Sequence, residues 1–209
     1  MITLAASKGY LLDQALKILT KLGVEFEDDP QKSRKLFFYD KSKNWKLLVV
    51  RPWDVPEYVE EGAADIGITG YDVIREKQSK VLRLSSLDFG GCRLVLAGPK
   101  EMTQKPLTHN LTVATKYPHS TTEYFQQKGL HVKIIKLYGA IELAPLTGLS
   151  DIVCDLTATG ATLKEHELFE IDTVFDSTAQ IIANPVSARF DYERIHHFVQ
   201  QVENLQKTS

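Results

Sequence analysis

Short apolar segments alternate with amphipathic stretches along most of this chain. Residues 2–6 form an apolar run, and the apolar residues between positions 11 and 22 recur at the spacing of one helix face, up to Gly23. Further runs typical of buried strands occupy residues 47–50, 66–68, 81–84, 93–97, 111–115, 132–137, 151–156 and 181–183. Helical stretches between such strands favour an α/β architecture with largely parallel sheets.

The length of the chain bears on its domain organisation. A chain of 209 residues fits one large domain or two lobes of ordinary size. If the chain forms two lobes, the pattern places the crossings near Cys92 and Arg93 and near residues 178–183. We therefore expect a discontinuous first lobe of residues 1–91 and 180–209, and a second lobe of residues 92–179.

The balance of charges and cysteines limits the classes of protein that fit. A net charge of −2, with no long basic run, argues against a nucleic-acid-binding protein. Cys92 and Cys154 both lie in apolar, strand-like segments, so we expect no disulfide framework and a reducing compartment. The sequence does not begin with a basic segment followed by a long apolar one, and no run approaches the ~18 apolar residues of a membrane span. We expect a cytoplasmic protein that makes no membrane contact.

The most informative segment spans residues 151–163, where an apolar strand ends near Asp155 and opens into a loop of small and hydroxylated residues. Small residues let backbone N–H groups approach an anion, hydroxyls add donors, and the start of the helix predicted through residues 163–165 adds its positive end. Asp155, near the carboxyl end of a strand, is placed to accept hydrogen bonds from sugar hydroxyls. The loop therefore predicts a phosphate site, formed by Thr157, Ala158, Thr159, Gly160, Ala161 and Thr162.

Other interpretations of these residues remain open at this point. A plain strand–turn–helix junction with a threonine N-cap explains the loop without a ligand. A P-loop NTPase is disfavoured because no Lys follows Gly160. The six histidines occupy no metal-ligand spacing, so we expect them to be structural or surface residues.

Taken with its neighbours, this segment resembles the signature of the ATP phosphoribosyltransferase family. That signature has a Glu, here Glu142, a Gly six positions later, here Gly148, then an Asp, and a Thr-Gly-x-Thr-Leu element, here residues 159–163. Other segments that resemble family elements are residues 33–36, 51–56, 62–72, 89–94 and 114–118.

The chain departs from the family pattern at two places. The family usually has Pro-Lys-Gly-Arg after the first strand, whereas this chain has Ser7 and Tyr10 around Lys8-Gly9. The expected contact of that Arg with a phosphate-bearing ligand is therefore missing. Ala140 stands where Ser is common, before the segment that contains Glu142.

The resemblance implies a fold and an activity. The fold would be a two-lobed α/β architecture similar to periplasmic solute-binding proteins of type II, with mixed, mostly parallel sheets and a ligand cleft between the lobes. The reaction would join phosphoribosyl pyrophosphate to N1 of ATP and release pyrophosphate, the first step of histidine biosynthesis. Mg²⁺ is expected on the pyrophosphate, held largely by substrate oxygens and water and without a protein metal site.

The resemblance also implies partners. The chain ends soon after one terminal helix, so it matches the short form of the family, which lacks a C-terminal regulatory domain. Short-form members work with a regulatory subunit that resembles histidyl-tRNA synthetase. We therefore expect a hetero-oligomer built on dimers, with no nucleic acid bound.

Roles for individual residues follow from the resemblance as well. The loop would hold the 5′-phosphate, and Asp155 and Glu142 would contact the ribose hydroxyls and metal-bound water. The residues expected at the phosphates of ATP or pyrophosphate are Lys8 with Gly9, Arg34 and Arg51, and those expected at the adenine are Asp72 and Tyr117. The alternatives are surface charges for the basic residues, a helix cap for Asp72 and core packing for Tyr117.

Two other functions compete with this one. A ligand-binding module without catalysis would share the two-lobed fold, because fold alone does not determine function. A different phosphoribosyltransferase is the second alternative, but the common type has two adjacent acidic residues before its loop. Here Asp155 stands alone between Cys154 and Leu156, which favours ATP as the acceptor.

Overall fold

The computed structural model describes residues 1–208, which fall into two compact units. The first comprises Met1–Gly90 and the chain from Thr178 onward, and the second comprises Gly91–Ser177. The sequence-based expectation places the two crossings between residues 91 and 92 and between residues 179 and 180. These expected positions lie one residue and two residues, respectively, beyond the crossings in the structure. Gly91 belongs to the second unit, and Thr178 and Ala179 to the first, because Ala179 begins a strand of the first unit's sheet.

The described residues form eleven strands and eight α-helices, with short 3-10 turns at Pro52–Asp54 and Lys100–Met102. In chain order these are β1 (Ile2–Ser7), α1 (Tyr10–Lys21), β2 (Phe37–Tyr39), β3 (Trp45–Val50), α2 (Val55–Glu60), β4 (Ile66–Gly70), α3 (Tyr71–Lys77), β5 (Leu82–Ser86), β6 (Cys92–Gly98), β7 (Thr112–Thr115), α4 (Pro118–Gln127), β8 (Lys133–Lys136), α5 (Leu143–Leu146), β9 (Ile152–Thr157), α6 (Ala161–Glu165), β10 (Phe169–Ser177), β11 (Ala179–Ala183), α7 (Pro185–Phe190) and α8 (Tyr192–Lys207).

The first unit is built on a six-stranded sheet in the order β2-β3-β1-β4-β11-β5. Strand β1 lies parallel to β3 and β4, whereas β2, β11 and β5 join by antiparallel pairing. Helices α1 and α8 turn apolar faces to this sheet, because their apolar residues recur every three or four positions. The helix residues that become buried in this way are Leu12, Ala15, Leu19, Ile195, Phe198, Val199 and Val202.

Helix α7 begins with a capping arrangement that fixes the chain after β11. The side chain of Asn184 accepts hydrogen bonds from the N–H groups of Val186 and Ser187, at 2.8 and 3.1 Å. Pro185 occupies the first helical position, where its missing N–H costs nothing. No helix among residues 1–208 has both the length and the apolar character that crossing a membrane requires.

The second unit is built on a five-stranded sheet in the order β10-β6-β9-β7-β8. Strands β9 and β8 lie parallel to β7, and β6 pairs antiparallel with both β9 and β10. Across the described residues, four strand pairings are parallel and five are antiparallel. The sheets are therefore mixed, and the expectation that they would be mostly parallel is corrected. The antiparallel pairs are β2 with β3, β4 with β11, β5 with β11, β6 with β9 and β6 with β10.

Four elements go beyond the sequence-based expectation: β2, β10, α5 and α7. Strand β10 is a nine-residue edge strand whose pairing with β6 is interrupted by two register shifts. Its sequence, FEIDTVFDS, alternates apolar and polar residues at its start, which is the period-two signal of a half-buried strand. Helix α5 has only four residues and too little length for a helical period to be visible.

A polar cluster joins α4 to β10 in the second unit. Tyr124 donates its hydroxyl hydrogen to Asp172, and Lys128 Nζ donates to the same carboxylate at 2.9 Å. These hydrogen bonds, first from Tyr124 and then from Lys128, hold the pKa of Asp172 below its usual range. Burial, together with the hydrogen bond to Asp172, raises the pKa of Tyr124 to about 12.

We expect Tyr124→Phe to lower the free energy of unfolding by about 1 kcal/mol at pH 7, because a hydrogen bond to a charged group is lost at a partly exposed site. The lowered pKa of Asp172 stabilises the folded state above the pKa of the unfolded chain, and this contribution disappears as the pH falls below about 4. Urea unfolding of both proteins at pH 7 and pH 3 measures the difference. Tyr138→Phe is the matched control, since Tyr138 is 80% exposed. Equal losses at both pH values would contradict the assigned role of Asp172.

Candidate active site

The second unit contains a pocket of about 380 Å³ where strand β9 ends. Strand β9 is held between β6 and β7, so its last residues and the loop after it are placed by the centre of the sheet. Gly160 stands beside the pocket as the N-cap of α6. The predicted residues that line this single pocket are Glu142, Asp155, Thr157, Ala158, Thr159, Ala161 and Thr162.

Asp155 is the half-buried carboxylate of this pocket. Burial raises the pKa of Asp155, and the negative charge of Glu142 raises it further. The hydrogen bond donated by the N–H of Leu156, at 2.9 Å, and the positive charge of Lys116 act in the opposite direction. A carboxylate that is poorly solvated and only partly hydrogen-bonded is well suited to accept a hydrogen bond from a ligand.

Glu142 is the second carboxylate and the N-cap residue of α5. Its Oε1 lies 3.8 Å from Nε2 of His166, the residue that ends α6. His166 was expected to be structural or at the surface, and the fold adds a contact with Glu142, a residue that lines the pocket. No spacing in the sequence signals this contact, because 24 positions separate the two residues.

The loop after β9 is closed by its own threonines. The N–H of Gly160 donates to Thr157 Oγ1 at 2.8 Å, and the N–H of Ala161 donates to Thr159 Oγ1 at 3.4 Å. Each hydroxyl acts as an acceptor in these bonds, so its own hydrogen is still available to an anion. Gly160 has φ +78°, a conformation that residues with a side chain rarely adopt. Helix α6 has only five residues, so the polar groups offered at this end of β9 are mainly those of the loop itself.

Lys116 is a basic residue near this pocket that the sequence-based assignment left out. It directly follows β7, whose last residue, Thr115, is paired in register with Cys154 of β9. This register sets Lys116 beside Asp155, in agreement with the effect of its charge on the pKa of that carboxyl. The position of Lys116 at the end of a predicted strand is the signal that could have identified it.

The first unit has a separate pocket of about 210 Å³ at the end of β1. Lys8, Gly9 and Arg34, which were predicted at phosphates, line this pocket together with Lys35 and Asp13. Its surface therefore carries three basic groups and one acidic group. Lys35 also forms an ion pair with Asp28, so Lys8 and Arg34 are the basic residues better placed to bind a ligand.

Apart from Gly160, which stands beside the pocket of the second unit, three predicted residues line neither pocket. Arg51 is exposed and precedes the 3-10 turn Pro52–Asp54, which agrees with a role in shaping that loop. Asp72 is buried in the first turn of α3, so close to Gly70 that a Cβ there would lie 2.2 Å from its Oδ1. Tyr117 is buried in the second unit, where its N–H donates to Thr115 Oγ1. The roles of Arg51, Asp72 and Tyr117 in binding a nucleotide remain predictions.

Comparison with known proteins settles the family. The family profile described as HisG: ATP phosphoribosyltransferase matches residues 51–204, well over half of the chain. The chain belongs to the ATP phosphoribosyltransferase family. A relative named ATP phosphoribosyltransferase from Syntrophomonas wolfei is 44% identical over 211 aligned positions, covering 100% of this chain and 95% of its own. Membership of the ATP phosphoribosyltransferase family makes this chain a pentosyltransferase of histidine biosynthesis.

Solved structures agree with this family and with the predicted fold. The ATP phosphoribosyl transferase (HisG:HisZ) complex from Thermotoga maritima matches with a TM-score of 0.87 and 37% identity, covering 100% of both chains. The alkanesulfonate-binding protein SsuA from Xanthomonas axonopodis, at TM-score 0.56 and 12% identity, covers 98% of this chain and 73% of its own. A structure bound to L-arginine, at TM-score 0.61 and 13% identity, covers 97% and 82%. The expected two-lobed, periplasmic-binding-protein-like fold is confirmed.

Proposed function

We propose that this chain transfers the phosphoribosyl group of phosphoribosyl pyrophosphate to N1 of ATP, the first step of histidine biosynthesis. A bond forms between N1 and the anomeric carbon of the sugar, and the bond from that carbon to pyrophosphate breaks. The observation that carries the proposal is the pocket of the second unit, where the Thr157–Thr162 loop and the carboxylates of Asp155 and Glu142 line one cavity. A sugar phosphate requires this combination of anion donors and hydroxyl acceptors.

Different residues of the pocket are assigned to different parts of the substrate. Thr157 and Thr159 donate their hydroxyl hydrogens to the 5′-phosphate, since both oxygens are oriented by backbone N–H groups. Asp155 accepts from the ribose hydroxyls, and its charge stabilises the positive character that the sugar gains as pyrophosphate leaves. N1 of adenine is a weak nucleophile that carries no proton to remove, so catalysis depends on positioning and on charge stabilisation.

Mg²⁺ is proposed as an ion that arrives with the pyrophosphate. Glu142 and Asp155, which both line the pocket, would contact water bound to Mg²⁺, while substrate oxygens hold the ion itself. Residues 1–208 contain no group of three or more His, Cys, Asp or Glu side chains arranged to hold a metal ion. The bound ion would supply neutralisation of charge on the leaving pyrophosphate.

The remaining proposals concern the phosphates, the adenine and the partner subunit. Lys8 and Arg34, which share the pocket of the first unit, are proposed for the phosphates of ATP or pyrophosphate, with Arg51 as a further candidate. Asp72 and Tyr117 remain the candidates for adenine. The related Thermotoga maritima structure is a HisG:HisZ complex, so we propose that this chain also binds a synthetase-like regulatory subunit, in the cytoplasm.

Lys116→Met is expected to reduce kcat/KM roughly tenfold at pH 7, since a positive charge beside Asp155, and so near the reacting sugar, is lost. Lys116 also lowers the pKa of Asp155, and activity requires Asp155 in its ionised form. Removing the lysine should therefore shift the acid limb of the pH profile of kcat/KM to higher pH. Lys133→Met, at an exposed position on β8, is the matched control. An unchanged acid limb would contradict the placement of Lys116.

The identity of the acceptor is tested by release of pyrophosphate. The chain, with its synthetase-like subunit, is incubated with phosphoribosyl pyrophosphate, Mg²⁺ and either ATP, GTP or a free purine base. Pyrophosphate release that depends on ATP alone supports the proposal. Release with a free base and not with ATP would favour a different phosphoribosyltransferase, and binding without release would favour a ligand-binding module.

A further inference from the structure

An ion pair lies directly behind the phosphate loop of the second unit. Arg93 Nη2 on β6 donates to Glu170 Oε1 on β10 at 2.9 Å. The same Oε1 is the atom nearest to Gly160, 3.4 Å from the position that a Cβ there would occupy. Arg93 is also the register partner of Thr157, the first residue of the loop. The carboxylate of the pair therefore lies near the turn of the loop, and the backbone of Arg93 is paired with the first residue of the loop.

This position creates an electrostatic conflict. A carboxylate that lies against an anion-binding loop repels any phosphate bound there, and water screens this repulsion only in part because Glu170 is partly exposed. The guanidinium of Arg93 cancels that charge at close range. Neither Arg93 nor Glu170 is among the residues that line the pocket, so both act through the loop and not by touching the ligand.

We propose that Arg93 is a positioning residue for phosphoribosyl pyrophosphate, which holds Glu170 against Gly160 and neutralises its charge so that the loop can accept the 5′-phosphate. The inference rests on the proposed function of the loop and adds residues that its signature does not contain. In this proposal Glu170 supports the left-handed turn at Gly160, and it does so only while its charge is paired with Arg93.

The charges predict an asymmetry between single variants. Arg93→Gln leaves the carboxylate of Glu170 unpaired beside the loop, so the affinity for phosphoribosyl pyrophosphate should fall about tenfold. Glu170→Gln removes the repelling charge and keeps a side chain of the same shape, so the affinity should stay within about twofold of the parent. The double variant should regain most of the loss. A purely structural ion pair would be damaged equally by either substitution.

Calorimetric titration of the full chain with phosphoribosyl pyrophosphate and Mg²⁺, and separately with ATP, measures this pattern. Both side chains are partly exposed, at 40% and 32%, so all variants should remain folded, and melting temperatures verify it. Lys105→Gln, at an exposed position of the same unit, is the control. A tenfold loss in Arg93→Gln that the double variant reverses, with ATP binding unchanged, supports the proposal.

Two results would overturn it in different ways. If the parent binds phosphoribosyl pyrophosphate and Arg93→Gln binds it equally well, or if the double variant is as weak as Arg93→Gln, the role of Arg93 is wrong and the function of the loop stands. If the parent chain does not bind phosphoribosyl pyrophosphate at all, the proposed function fails and the inference fails with it.

Discussion

Asp155→Asn is expected to lower kcat by roughly 10²- to 10³-fold, with a much smaller change in the KM for ATP. Asn keeps the shape of the side chain and its acceptor oxygen, but it carries no negative charge for the sugar as pyrophosphate leaves. The carboxylate lies in the pocket beside the phosphate loop, partly removed from water, where its charge acts strongly. Steady-state kinetics with both substrates varied measure the effect.

The same substitution should not weaken the fold. Burial raises the pKa of Asp155 above that of the unfolded chain, so ionised Asp155 costs folding free energy at neutral pH. Stability from this group is fully present below the unfolded pKa and is lost as the pH rises through the folded pKa. A neutral Asn avoids that cost, and the melting temperature of Asp155→Asn at pH 7 should equal or exceed that of the parent. Glu101→Gln, an exposed acid-to-amide change in the same unit, should alter neither quantity. A variant that melts lower while retaining activity would contradict the assignment.

Gly160→Ala is expected to raise the KM for phosphoribosyl pyrophosphate by roughly 10- to 100-fold, because small displacements of a positioning loop are costly. Gly160 has φ +78°, and a Cβ there would stand 3.4 Å from Glu170 Oε1. The left-handed φ disfavours any residue with a side chain, and the methyl group would also contact Glu170, so the turn should shift and move the N–H that holds Thr157 Oγ1. The KM for ATP should change little, since no ATP contact is assigned to this loop.

The chain offers a matched control for this substitution. Gly129, at the end of α4 in the same unit, has φ +70°, and no atom lies within 4 Å of the position that a Cβ there would occupy. Alanine at either glycine should cost about 1 kcal/mol of folding free energy through the left-handed backbone. Only Gly160→Ala should affect phosphoribosyl pyrophosphate. Equal kinetic effects in the two variants would show that loss of stability, and not loop geometry, is responsible.

Elements with strong periodic patterns could be predicted from the sequence. Helix α1 presents an apolar face that ends just before Gly23, and residues 181–183 of strand β11 form an apolar run because the strand lies buried between β4 and β5. The pairing direction could not be predicted in the same way. A buried strand has the same apolar composition whether its neighbour is parallel or antiparallel. The five antiparallel pairings therefore could not be predicted from the sequence.

Some residues of the site could likewise be predicted from the sequence, and others could not. Asp155 and its loop are contiguous in sequence, so their clustering follows from one strand–loop–helix segment, and Glu142 joins them through the family signature. Contacts between residues that are distant in the sequence could not be predicted in this way. His166 beside Glu142, Lys116 beside Asp155 and the pair behind Gly160 depend on strand register and loop conformation, which only the folded chain specifies.

Identification of the product tests the central claim most directly. The chain is incubated with ATP, phosphoribosyl pyrophosphate, Mg²⁺ and inorganic pyrophosphatase, with and without the synthetase-like subunit from the same source, and the products are analysed by mass spectrometry. We predict N1-(5-phosphoribosyl)-ATP that requires both substrates and is abolished or nearly abolished by Asp155→Asn. If no such product forms although both substrates and the partner subunit bind, the assignment of phosphoribosyl transfer to this chain is wrong.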